Sequence, residues 1–165
     1  KLMDYRDLDG KFDKIISIEM FEAVGEYYWK VFFQKINSLL KPSGIAGLQI
    51  ITIKNNFFDA YKNRPDFIQK YIFPGGMLPS MEKLSEQFNK SDLQMLGCNF
   101  FGNDYAKTLS IWKKNFNKQW PQISQLGFDE NFKRLWNLYF SYCEGGFKGK
   151  SIDVCQLKLI SGNKK

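Results

Sequence analysis

Two carboxylates three residues apart, Glu19 and Glu22, follow an apolar run that contains Ile15, Ile16 and Ile18 and precede Gly25. The length of the run and its β-branched residues predict a strand buried in a parallel sheet. A strand that ends in acidic residues and turns into a helix sets those residues at the carboxyl edge of its sheet, where open α/β folds bind ligands. On spacing, the same residues also describe a core strand with a solvated acidic turn. Gln49 is a second candidate, because it is the polar residue in the middle of the apolar run IAGLQIITI (residues 45–53). Its amide costs free energy in a central strand unless it is satisfied, either by a nearby backbone group or at a ligand edge. Cys98, Cys143 and Cys155 are odd in number and lack CxxC spacing, so neither a zinc site nor a disulfide framework is indicated, as in a reducing cytosol. The chain has no His to lower a thiol pKa. Cys143, on the apolar stripe of a helix, therefore reads as a buried structural cysteine.

The elements that must position these groups follow from periodicity. Residues 1–7 read as the exit of a strand, with Asp9-Gly10 as a turn signal. After the acidic turn, Trp29, Phe32, Phe33, Ile36, Leu39 and Leu40 recur at helical steps, and Lys41-Pro42-Ser43-Gly44 stops that helix ahead of a strand over residues 45–53. Residues 55–72 predict short helices broken around Arg64-Pro65. Pro74-Gly75-Gly76 forces an irregular loop, and Ser80 is suited to cap the next helix. A strand over residues 92–101 leads to a helix capped by Asn103 or Asp104, with Tyr105, Leu109, Trp112, Phe116 and Trp120 on one face. A further helix through Phe132, Trp136, Phe140 and Cys143 ends at Gly145-Gly146. A last strand covers residues 151–160, before a polar tail at residues 162–165.

Composition sets outer bounds. The chain has 165 residues, one domain's worth, with 44% hydrophobic and 25% charged residues, as in a globular protein. Its 16 Phe either fill a core or line an apolar tunnel. The formal charge of +7 comes from scattered lysines with no run of five, which describes a basic surface bias and not a nucleic-acid groove. No stretch approaches the roughly 18 apolar residues of a membrane span, and no signal-peptide pattern appears, so contact with lipid would be peripheral.

Five blocks taken in order cover nearly the whole chain: FDKIISIEMFEAVGEYYW (residues 12–29), YIFPGGMLPS (71–80), FGNDYAKTL (101–109), YFSYCEGGF (139–147) and SIDVCQLKL (151–159). Together they resemble the cyclopropane-fatty-acid synthases, a branch of the S-adenosylmethionine-dependent methyltransferases. The resemblance implies an α/β fold: the C-terminal part of a Rossmann-like class I methyltransferase sheet, with helices on both faces and a helical lipid-binding insertion. On this view residues 1–165 are one domain, the C-terminal portion of the catalytic domain, with the glycine-rich cofactor loop upstream. Tyr71, Ile72 and Phe73 would lie on a lid.

The implied reaction moves a methylene carbon from S-adenosylmethionine to the cis double bond of an unsaturated phospholipid acyl chain, with bound bicarbonate as the base. By the resemblance, Glu22, Gln49, the backbone of Ile51 and Tyr105 would cradle bicarbonate, and Cys143 aligns with a cysteine often assigned as an active-site thiol. Asp4, Tyr5 and Arg6 would lie against the adenine of the cofactor; no metal is implied. Gln49 and Ala23 depart from the family, standing where many members have His; Gln donates to an anion but carries no proton. The implied partners are phospholipid at a membrane surface, reached peripherally from the cytoplasmic face, and a second copy in a homodimer, with no nucleic acid.

Overall fold

The structure, a computed structural model, describes residues 2–162. Lys1, and the predicted polar tail from residue 163 onward, lie outside the described residues. The chain divides into two compact units, residues 1–100 with 154–165, and residues 101–153.

The first unit is built on a four-stranded sheet flanked by helices. Its strands are β1 (Phe12–Ile18), β2 (Leu40–Ile53), β3 (Leu93–Phe100) and β4 (Ile152–Ser161), in the order β1-β2-β4-β3. β1 runs parallel to β2, and β3 antiparallel to β4. Along β2 the alternation required by the pleat is plain: Ala46, Leu48, Ile50 and Thr52 are buried, while Ile45, Gly47, Gln49 and Ile51 on the other face are half-buried. Helix α1 (Trp29–Leu39) buries Trp29, Phe32, Phe33, Ile36 and Leu39, the stripe predicted from spacing. Phe21, 1% exposed, sits among its rings, 5.0 Å from Phe33 and 5.3 Å from Trp29. Phe33 in turn meets Phe88 of α4 (Met81–Lys90) at 5.1 Å. Burying each such side chain contributes about 2 kcal/mol, so this aromatic cluster anchors the turn after β1. Helices α2 (Asn55–Asn63) and α3 (Phe67–Tyr71) flank Arg64-Pro65 as predicted, and Ser80 caps α4 by accepting from the Lys83 amide.

The structure corrects the sequence reading of this unit at three places. Residues 2–4 form no strand, and Tyr5–Asp7 is a single 3-10 turn. The Asp4 carboxylate accepts from the Arg6 amide, a local bond that holds the backbone in a turn. β2 begins at Leu40, five residues early; Phe12 pairs with Leu40 and Lys14 already with Ile45, so the Lys41-Pro42-Ser43-Gly44 segment is a bulge within the strand. β1 is not buried on both faces: Ile16 and Ile18 are 74% and 63% exposed, because β1 pairs only with β2 among the described residues and nothing described covers this face.

The second unit is helical: α5 (Gly102–Lys118), α6 (Trp120–Ser124) and α7 (Glu130–Lys148). Tyr105 meets Phe147 and Phe116 meets Phe140, which makes α5 and α7 an antiparallel pair. Asn117 and Asn137 exchange amide hydrogen bonds across it. Neither Asn103 nor Asp104 caps α5. The Asp153 carboxylate accepts from the Gly102 amide at 2.8 Å, so the cap comes from far along the chain and both residues fall inside the first turn. Trp120 opens α6 and does not continue α5, and Gly145-Gly146 lie inside α7. A Cβ on Gly146 would sit 3.0 Å from the Ile152 side chain, so glycine here serves close packing and not helix termination.

Candidate functional site

The turn after β1 carries the first functional side chain. Glu19 leaves the strand with φ +51°, and its amide donates to the Gln49 carbonyl at 2.9 Å. Residues Phe21–Ala23 form a 3-10 turn with Phe21 pinned in the core, and the Met77 amide donates to the Glu22 carbonyl at 2.9 Å. The backbone of Glu22 is thus fixed from both sides. Its Oε1 accepts from the Ile51 amide at 2.5 Å, whereas Oε2 is buried and accepts from no described residue. Burial drives the Glu22 carboxyl up to about 7; the Ile51 amide opposes this, and the negative charge of Glu19 adds to it. A buried acceptor without a donor is what a ligand bearing an O–H or N–H would satisfy.

Gln49 and Ile51 lie two residues apart on the same face of β2. Gln49 Nε2 donates to Glu19 Oε1 at 2.7 Å, and Gln156 Nε2 of β4 donates to Gln49 Oε1 at 3.1 Å. The amide is therefore satisfied by side chains, not by a backbone group. The structure brings Glu22, Gln49 and Ile51 together at the carboxyl end of β1. It joins to them Glu19, which the sequence reading placed at this sheet edge with Glu22, and Gln156, to which that reading gave no role. Gln156 alternates with buried Leu157 and Leu159 just as Lys158 does, so nothing in the spacing of β4 sets it apart.

The remaining predicted residues have contacts of their own. Asp4 and Arg6 pair side by side, Arg6 Nε to Asp4 Oδ1 at 2.9 Å and Nη2 to Oδ2 at 2.8 Å, and this partner holds the Asp4 carboxyl down at about 2. Tyr5 is half-buried, its ring 5.5 Å from Phe32, and Arg6 lies over the Tyr28 ring. In the second unit, Tyr105 packs its ring 4.9 Å from Phe147 and 6.2 Å from Trp112. Cys143 of α7 is half-buried and not fully buried as expected, since Phe140 and Phe147 supply the fully buried positions of that helix. A cavity of about 350 Å³ in the first unit is lined by Glu26, Lys62, Gln69 and Met77 among others, with mixed walls rather than apolar ones. Among the described residues, no cluster of His, Cys, Asp or Glu is disposed to hold a metal ion, and no helix is long and apolar enough to cross a membrane.

The sequence model of the mycolic acid cyclopropane synthetase family matches residues 1–157. The chain is 39% identical over 160 residues to the tuberculostearic acid methyltransferase UfaA1 of Mycobacterium tuberculosis, covering 96% of this chain and 38% of that protein. It is 37% identical over 161 residues to the cyclopropane-fatty-acyl-phospholipid synthase of Escherichia coli, covering 98% of this chain and 41% of that protein. The chain thus spans about two fifths of the length of these relatives. Among solved structures, mycolic acid cyclopropane synthase CmaA1 complexed with SAH and CTAB superposes with a TM-score of 0.87 at 26% identity, over 96% of this chain and 59% of that one. The fold is that of the class I S-adenosylmethionine-dependent methyltransferases, and the chain belongs to the mycolic acid cyclopropane synthetase family.

Proposed function

We propose that the enzyme carrying this chain transfers a methylene group from S-adenosylmethionine to the cis double bond of an unsaturated phospholipid acyl chain, forming a cyclopropane. The observation that carries the reading is the divided carboxylate of Glu22: one oxygen on the Ile51 amide, the other buried and unpartnered. A small oxyanion bearing one hydroxyl fits that arrangement, and bicarbonate is such a group. When bound it would supply the base that removes a proton after carbon transfer.

The chain's own residues have defined tasks in this reading. Glu22 Oε2 accepts from the hydroxyl and orients the anion. The Gln49 amide donates to one of its oxygens, and the half-buried face of β2 limits water, which would otherwise trap a carbocation. The Ile51 amide, expected from the resemblance to donate to the anion, is already engaged with Glu22 and supports the site by holding that carboxylate. Tyr105 as a further donor, Cys143 as a thiol, and Asp4, Tyr5 and Arg6 against the adenine enter through the resemblance. Phospholipid at a membrane surface, reached peripherally from the cytoplasmic side, and homodimerisation complete the proposal.

A second reading has its own support in the relative named a tuberculostearic acid methyltransferase, at 39% identity. There the methyl transfer would leave the same cation, and hydride from a separate reductant would convert it to a methyl-branched chain. The deciding experiment expresses the full-length enzyme and its Glu22→Ala variant in cells that lack cyclopropane fatty acids, followed by gas chromatography of the lipids. Cyclopropane chains that vanish in the variant support the first reading, and methyl-branched chains the second. Unchanged products in the variant would remove Glu22 from either.

A further inference from the structure

An amide has two ends of opposite polarity, and what Gln49 offers a ligand depends on which way its amide is turned. The surroundings decide this by chemistry. A carboxylate oxygen accepts, and Gln49 turns its nitrogen to Glu19 Oε1, at 2.7 Å. Its oxygen then faces Gln156, which must donate, at 3.1 Å. The polarity of the whole row is set from Glu19.

The backbone of Glu19 supports this assignment. Its φ of +51° is a conformation that glycine adopts freely and glutamate does not. Its amide bonds the Gln49 carbonyl while its carboxylate bonds the Gln49 side chain, so the residue grips Gln49 twice. All three side chains lie in the first unit, and Gln49 shares its face of β2 with Ile51, whose amide holds Glu22.

We propose that Glu19 and Gln156 are positioning residues. Together they lock the Gln49 amide with one N–H on Glu19, leaving its second N–H to donate in a fixed direction to an oxyanion beside Glu22. This rests on the proposed function above and deepens it. A residue that carries no proton suffices at position 49, because a directed donor is what the arrangement provides.

The test uses the full-length enzyme with Glu19→Gln, Glu19→Gly, Gln156→Leu and Gln49→Ala, and Glu22→Gln in parallel. Glu19→Gln lets the Gln49 amide turn over; kcat should fall about tenfold or more while KM for S-adenosylmethionine and phospholipid stays within about twofold. The rise in Tm that bicarbonate gives without S-adenosylmethionine should shrink in the same variants. Glu19→Gly relieves the backbone, so it should keep or raise Tm without bicarbonate and still lose activity, which a merely structural role would not produce. In the Gln49→Ala background, Glu19→Gln and Gln156→Leu should cost nothing further.

Wild-type kcat and bicarbonate response in Glu19→Gly and Gln156→Leu would overturn the proposal, as would full extra losses in the Gln49→Ala background. If Glu22→Gln alone loses activity, this proposal fails and the parent reading stands. If Glu22→Gln is fully active, the parent reading itself fails.

Discussion

The two oxygens of Glu22 meet different demands, and pH separates them. Burial holds its carboxyl up at about 7 in the fold, above the 4.5 of an ordinary glutamate. Because the folded state disfavours the ionised form, stability from this group is full below about pH 4.5, declines as pH rises to about 7, and is flat beyond. The loss amounts to about 3 kcal/mol. Urea denaturation of the wild type should therefore show this decline between about pH 4.5 and about pH 7, and Glu22→Gln should remove most of it. Equal pH dependence in the two proteins would contradict the assigned burial. Phe21 is the neighbour that holds this carboxylate in place. Phe21→Ala should cost about 3–5 kcal/mol by urea denaturation. Full-length Phe21→Ala enzyme should lose activity at temperatures where it is still folded, because the turn that carries Glu22 loses its anchor.

Among the elements, α5 takes its cap from Asp153, whereas α7 is capped locally by Asp129, whose carboxylate accepts from the Phe132 amide at 2.8 Å. Each should lose about 1–2 kcal/mol on replacement by alanine, read as a lowered Tm. Asp153→Ala should in addition loosen the start of α5, seen as faster hydrogen exchange at residues 102–105. These caps also show what the sequence could reveal. Local signals were readable: the aromatic stripe of α1, the Ser80 cap and the break at Arg64-Pro65 all follow from neighbours in the chain. Asp153 acting 51 residues away could not be read from spacing. Nor could the interior position of Gly145-Gly146, which depends on where Ile152 approaches. At the site, Glu22 and Gln49 were legible as polar residues in apolar surroundings. The row through Gln156 required the strand order β1-β2-β4-β3, which no local pattern encodes.

At the scale of the whole molecule, exposed apolar surface and positive charge make separate predictions. Among the described residues, Ile16 and Ile18 form an uncovered apolar strip on an edge strand. The 165-residue chain expressed by itself should associate with rising concentration in sedimentation velocity, and Ile16→Lys with Ile18→Lys should suppress this. Concentration-independent sedimentation of the unmodified chain would show that the strip is covered in solution. The net charge of +7 should draw the protein to vesicles of anionic phospholipid, with binding that falls as salt rises from about 0.05 to about 0.3 M. Cosedimentation unaffected by salt would assign the contact to apolar residues.

Trp29 is 1% exposed, wedged between Phe21 and Phe58, with its indole N–H buried and unbonded to any described residue. Trp112, by contrast, is 46% exposed. The chain therefore carries its own optical reporter: an indole in so dry a setting emits at the blue end of tryptophan fluorescence, and its nearest ring belongs to the turn that presents Glu22. A red shift of that component in a variant would register disorder at the turn before any global melting, with no label attached.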